Sequence, residues 1–172
     1  MFYNCESLTT APTILPAMTL ANYCYWSMFY GCESLKTAPE LPATTLAYYC
    51  YNSMFQNCIN LTTAPELPAT TLANYCYRSM FSGCKELIEA PELPATALAD
   101  YCYIYMFKGC TKLNNITMLA INTSAYSCLY DWVYNVSPSG VFIKHPEMTS
   151  LSKGSSGIPS GWAVEDYIFI EK

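Results

Sequence analysis

Residues 70–81, "TTLANYCYRSMF", place Leu72, Cys76 and Met80 at i, i+4 and i+8. Apolar residues at that spacing share one face of a helix. Thr70 or Thr71, just after Pro68, can cap its N-terminus. The third position after each recurring Met is Asn4, Gly31, Asn57, Gly83 or Gly109. Gly and Asn are the residues that best tolerate the left-handed position beyond a helix end. The pattern therefore predicts a short helix of about three turns, closed by a Gly/Asn stop. Residues 58–69, "CINLTTAPELPA", behave differently. Cys58, Leu61, Ala64 and Leu67 recur every third residue, which matches neither a long helix nor a plain alternating strand. Pro65 and Pro68 exclude a helix interior and remove ladder donors. This half predicts a short rung, extended around Leu61–Ala64, followed by a proline-fixed turn.

The two halves recur together. Copies occupy 1–27, 28–53, 54–79, 80–105 and 106–131, and the fifth degrades after "MFKGCTKL". One such unit cannot bury its own apolar face, whereas stacked units can. The expected fold is an α/β repeat solenoid, a leucine-rich-repeat-like right-handed stack of short parallel rungs and short helices. Its rungs would lie about 4.8 Å apart. Residues 132–172 break the pattern and predict a β-rich C-terminal capping segment. "GVFIKH" at 140–145 and "AVEDYIFI" at 163–170 read as strands, with Trp132 and Trp162 as apolar cover.

Composition narrows the classes. The hydrophobic fraction of 52% is too high for disorder. No run of 18 apolar residues exists, so no membrane-inserting segment is expected. Net charge is −5 with eight Lys and Arg and no basic stripe, which argues against nucleic-acid binding. There is no P-loop, no Gly-x-Gly-x-x-Gly, no Gly-x-Ser-x-Gly and no His-Glu-x-x-His. A single histidine, His145, leaves little for acid–base chemistry. No enzyme activity, catalytic residue, metal site or cofactor is expected.

Columns of side chains carry the candidate chemistry. Ten cysteines fall into two columns, Cys5–Cys32–Cys58–Cys84–Cys110 and Cys24–Cys50–Cys76–Cys102–Cys128. They suit either a disulfide framework or buried thiols acting as small hydrophobes, and five per column would leave one unpaired. Tyr23, Tyr49, Tyr75 and Tyr101 form a candidate aromatic strip, beside a second column of Tyr25, Tyr51, Tyr77 and Tyr103. Such rings can take a sugar or peptide, or can simply cover seams. Glu40, Glu66 and Glu92 form an acidic column, read as a solvated rim or a calcium site. The variable positions beside the rung are Lys36, Thr37, Thr62, Thr63, Ile88, Glu89, Asn114 and Asn115. Repeat proteins place their binding face there.

The segment "MFYGCESLKTAPELP" and its copies, with Phe-x-x-Cys-x-x-Leu in register, resemble the BspA-type bacterial leucine-rich repeats. The resemblance covers about residues 1–131, and the tail resembles the terminal segment that closes such arrays. It implies a curved solenoid on a bacterial surface or phage particle, outside the cell, acting in adhesion or ligand capture. The expected function is a non-enzymatic interaction module binding a host protein or glycan through the solenoid face. The alternative is a structural subunit that self-associates end to end. Its N-terminal stacking interface would be Met1, Phe2, Cys5 and Leu8, since the first copy begins without the helix expected ahead of "MFYNC".

Overall fold

In the computed structural model, residues 1–148 and 151–169 are described. The predicted stacking is present, but the predicted helices are not. Among the described residues there is no helix, and the named strands are β1 (Asn115–Met118), β2 (Val141–Lys144) and β3 (Ala163–Asp166). The reading of an α/β solenoid with short helices is therefore overturned. The repeats stack as coils of consecutive turns.

The segment read as a helix shows why. Tyr23, Tyr25 and Ser27 have φ of 62°, 62° and 50°, so alternate residues are left-handed. Ser27, Phe29 and Gly31 send their N–H groups to the carbonyls of Asn52, Met54 and Gln56 in the next copy. The residues between them, Met28, Tyr30 and Cys32, donate three residues back, to Tyr25, Ser27 and Phe29. The same pattern repeats down the chain, as in Phe55 to Met80 and Phe81 to Met106. Every second amide thus joins neighbouring copies instead of closing a helical turn.

Spacing decides between the two solutions. Helices pack about 8–10 Å apart, whereas a parallel ladder repeats at about 4.8 Å. A stack whose rung side closes at ladder spacing has no room for a helix per copy unless it bends sharply. Here the Phe29, Phe55, Phe81 and Phe107 rings stack at 5.6–5.7 Å with interplanar angles of 4–10°. Adjacent copies on this side are one backbone apart, not one helix apart. Left-handed φ at a bulky residue costs about 1–2 kcal/mol. The inter-copy hydrogen bonds and ring stacks offset that cost.

The core runs through the stack as columns. Cys58, Leu61, Cys84 and Leu87 are fully buried, as are Met54, Met80 and Met106. The rung side is joined by single parallel bridges, such as Ile14 with Glu40, Thr37 with Thr63 and Glu89 with Asn115. Among the five copies a strand proper forms only in the fifth, which loses the prolines, at β1. There every residue again has an N–H to donate.

The tail continues this ladder. β2 pairs in parallel with β1, Asn115 opposite Val141, and β3 with β2, Val141 opposite Ala163. The two strand expectations hold in position over 141–144 and 163–166, while residue 170 lies outside the described residues. Trp132 and Trp162 are buried, and their Nε1 atoms donate to Gly157 O and Ser137 O, both at 2.8 Å. The stack therefore runs on through position 132, where Trp132 O accepts from Phe107 N–H.

Candidate functional site

The rung side carries a groove that the repeats build together. Its main part, about 940 Å³, lies between residues 62–68 and 88–94. A second part, about 510 Å³, continues between 37–42 and 63–68. Pro65, Glu66, Pro91 and Glu92 line the main part, and Glu40 and Pro42 extend the same surface into the second.

The groove opens where the ladder lapses. Copies one and two are joined here by Leu15 N–H to Glu40 O and Glu40 N–H to Thr13 O. Copies four and five are joined by Ala90 N–H to Asn115 O and Asn114 N–H to Ile88 O. Between residues 62–68 and 88–94 no backbone hydrogen bond is made, although both segments are fully described. Both carry the "APELP" sequence, and proline has no amide hydrogen to give. The amides of Ala64, Glu66 and Leu67 have no backbone partner.

Of the expected binding face, Thr37, Thr62, Thr63, Ile88 and Glu89 line this groove. All five are exposed, with Ile88 at 52%. Lys36 and Asn114 are exposed but lie outside the lining, and Asn115 is half-buried in β1. The glutamate column, read from sequence as a rim or cation site, is part of the wall, and no cluster of metal-ligating side chains occurs among the described residues. Tyr167, from just beyond β3, reaches Glu92 Oε2 with its hydroxyl at 3.3 Å. The Glu92 charge, helped by partial desolvation, pushes the Tyr167 phenol above its usual range. Sequence reasoning missed Tyr167, because only folding brings residues 75 positions apart together. The prolines were visible, but only as turn formers, and the opening beside them was not.

The two tyrosine columns separate. Tyr51, Tyr77 and Tyr103 are buried at 1% exposure and belong to the core. Tyr23, Tyr49, Tyr75 and Tyr101 form a second stack at the surface, with centroids 5.3, 4.5 and 4.4 Å apart. Each ring covers its neighbour's face, so the strip offers edges and hydroxyls to a ligand. A sugar that stacks on an open ring face finds none inside the column.

The cysteines are free thiols. Cys32, Cys58, Cys84 and Cys110 donate to the carbonyls of Phe2, Phe29, Phe55 and Phe81 at 2.9–3.1 Å. Burial pushes Cys50, Cys58, Cys102 and Cys110 up to about 12. A neutral thiol is a poor nucleophile and a poor metal ligand. Both columns are packing elements, and the first also gives a thiol hydrogen bond to one carbonyl per copy from Cys32 to Cys110.

Of the four residues expected at the N-terminal stacking interface, Met1 is 95% exposed and Cys5 is exposed. Phe2 and Leu8 are half-buried against the core, with the Phe2 ring 5.3 Å from Phe29. No family model matches the chain, and comparison with curated proteins and with solved structures finds no match.

Proposed function

We propose that this protein is a non-enzymatic recognition module holding an extended, basic segment of a partner protein in the groove between residues 62–68 and 88–94. The lapse of the ladder there carries the reading. An extended chain lying in the groove supplies carbonyls to the unpartnered amides of Ala64 and Leu67, whose counterparts Ala90 and Leu93 donate to the following copy. Backbone pairing of this kind gives affinity, and alternate side-chain pockets give selectivity. Glu66 and Glu92 in the wall, on a chain of net charge −5, favour lysine and arginine in the bound segment. A protein partner is favoured over a glycan, because the exposed tyrosines present covered ring faces. The likeness of the repeat to BspA-type sequences supports a bacterial surface or phage particle as the setting, with a host protein as partner.

The test is selection of displayed random linear peptides on the full chain, followed by calorimetric titration of the best binder. Basic, extended sequences should emerge. Their affinity should fall at least about tenfold in the Glu66→Lys/Glu92→Lys variant and should weaken with salt. Absence of enrichment, or binding indifferent to those substitutions, would refute the assignment. Light scattering over a concentration series separates this reading from end-to-end self-association, which alone predicts growth into rods.

A further inference from the structure

The surface tyrosine column has a geometry that recognition does not use. We propose that Tyr49, Tyr75 and Tyr101 are an oxidative cross-linking site, at which one-electron oxidation joins successive turns through dityrosine bonds.

Proximity is the first support. The Tyr49–Tyr75 and Tyr75–Tyr101 centroids lie 4.5 and 4.4 Å apart, with interplanar angles of 21° and 8°. Two further rings meet the column edge-on. Tyr48 lies 4.6 Å from Tyr49, and Tyr126 lies 5.2 Å from Tyr101. Two phenoxyl radicals generated on neighbouring rings are therefore held together rather than meeting by diffusion. Reactions of groups held in place gain greatly over their bimolecular counterparts.

Access is the second. Tyr49, Tyr75 and Tyr101 are half-exposed, and Tyr23 and Tyr48 are 51% and 39% exposed. A ring on the surface can tilt from the stacked arrangement until an ortho carbon of each partner faces the other. The core column provides an internal comparison. Tyr51, Tyr77 and Tyr103 stack at 5.9 and 6.0 Å and are sealed from solvent. Oxidant cannot reach them and the rings cannot tilt.

The phenolic protons have somewhere to go. Partial desolvation and the adjoining phenols of Tyr75 and Tyr126 hold the Tyr101 hydroxyl protonated above its usual range. Loss of an electron from that neutral phenol then releases the proton to a neighbouring hydroxyl or to water.

The step balances with a peroxide as oxidant. Each of two tyrosines gives up one electron and its hydroxyl proton. The electrons and protons reduce one hydrogen peroxide to two waters. The radicals form one carbon–carbon bond between ortho positions, and the hydrogens on those carbons shift to the oxygens, restoring both phenols. Each link removes two hydrogen atoms from the chain.

The experiment treats the full chain, accessible thiols alkylated, with hydrogen peroxide and a haem peroxidase at low protein concentration. Dityrosine fluorescence, intact mass and peptide mapping are read on the monomer fraction. Expected are monomers lighter by pairs of hydrogens, with links at Tyr49–Tyr75 or Tyr75–Tyr101. Tyr75→Phe keeps the stacked ring and removes the phenol, so the monomer signal should fall at least about threefold, as expected when the ring between two partners cannot couple. Tyr77→Phe, in the core column, should leave it unchanged. Circular dichroism matching the parent confirms that each variant is folded. Links found only between chains, links mapping away from the column, or equal signal in Tyr75→Phe would overturn the proposal.

Discussion

Gly83 and Gly109 occupy the same position in successive copies, with φ of +79° and +77°, yet replacing them by alanine should have different consequences. Both substitutions place an L-residue in the left-handed region, at about 1–2 kcal/mol. At Gly109 the new Cβ meets only Gly83 backbone atoms, at 3.8 Å, an ordinary contact. At Gly83 it collides with Asn57 Oδ1. The Asn57 side chain must then swing away. It loses the hydrogen bond from its Nδ2 to Tyr30 Oη at 3.3 Å, worth about 0.5–1.5 kcal/mol. An off-rotamer χ adds about 0.5–1.5 kcal/mol. Gly83→Ala should thus cost about 2–5 kcal/mol and Gly109→Ala about 1–2. Equilibrium urea denaturation under reducing conditions, followed by tryptophan fluorescence, measures both. The decisive comparison is a double-mutant cycle. In an Asn57→Gly background the clash partner is gone, and Gly83→Ala should cost no more than Gly109→Ala. The steric account is refuted if the two alanine variants agree within about 0.5 kcal/mol in the parent chain, or if Asn57→Gly brings no recovery. The same contact explains the order Asn4, Gly31, Asn57, Gly83, Gly109, since each asparagine is followed in the next copy by a glycine that makes room for it.

Ser27, at φ 50°, should gain from glycine, and Ser27→Gly is expected to raise stability by about 0.5–1 kcal/mol in the same denaturation assay. Trp132→Phe removes the Nε1–H that satisfies the Gly157 carbonyl at 2.8 Å and leaves a void in a fully buried site; a loss of about 2–3 kcal/mol is expected, read as a lower thermal midpoint. The thiols predict alkaline sensitivity. Folding raises Cys50, Cys58, Cys102 and Cys110 from 9.0 to about 12, so between those values the unfolded chain sheds protons that the folded chain keeps. Their contribution is complete below pH 9.0 and is lost as pH rises towards about 12, so urea midpoints should fall steadily across that window. In native protein near neutrality, a thiol reagent should modify Cys5 rapidly and leave Cys58, Cys84 and Cys110 untouched until unfolding.

The 26-residue period by itself determined which side chains would meet their own copies. Repetition of Cys-x-x-Leu and "MF" in register is enough to stack Cys58 beneath Cys84 and Phe55 beneath Phe81, whatever the backbone does between them. The Gly/Asn column likewise fixed a left-handed position, and Asn57 and Gly83 take it at φ 62° and 79°. The element around that position was not determined. "TTLANYCYRSMF" satisfies a helical face and an alternating turn equally well, because Leu72, Cys76 and Met80 point inward in either. An amide chooses between a partner four residues back and one in the next copy. That choice depends on how closely the copies approach, and the distance is set by the whole stack. The tertiary structure alone also decided which tyrosine column is sealed and which is exposed, and that the backbone bonds of the ladder lapse from the second copy to the fourth. Residues 37–42, 63–68 and 89–94 are nearly identical in sequence, so no local feature marks the opening. Two proline-bearing rungs can still pair, as Leu15 and Glu40 do between the first two copies, so proline alone does not decide it; the pairing returns at β1, whose strand is free of proline.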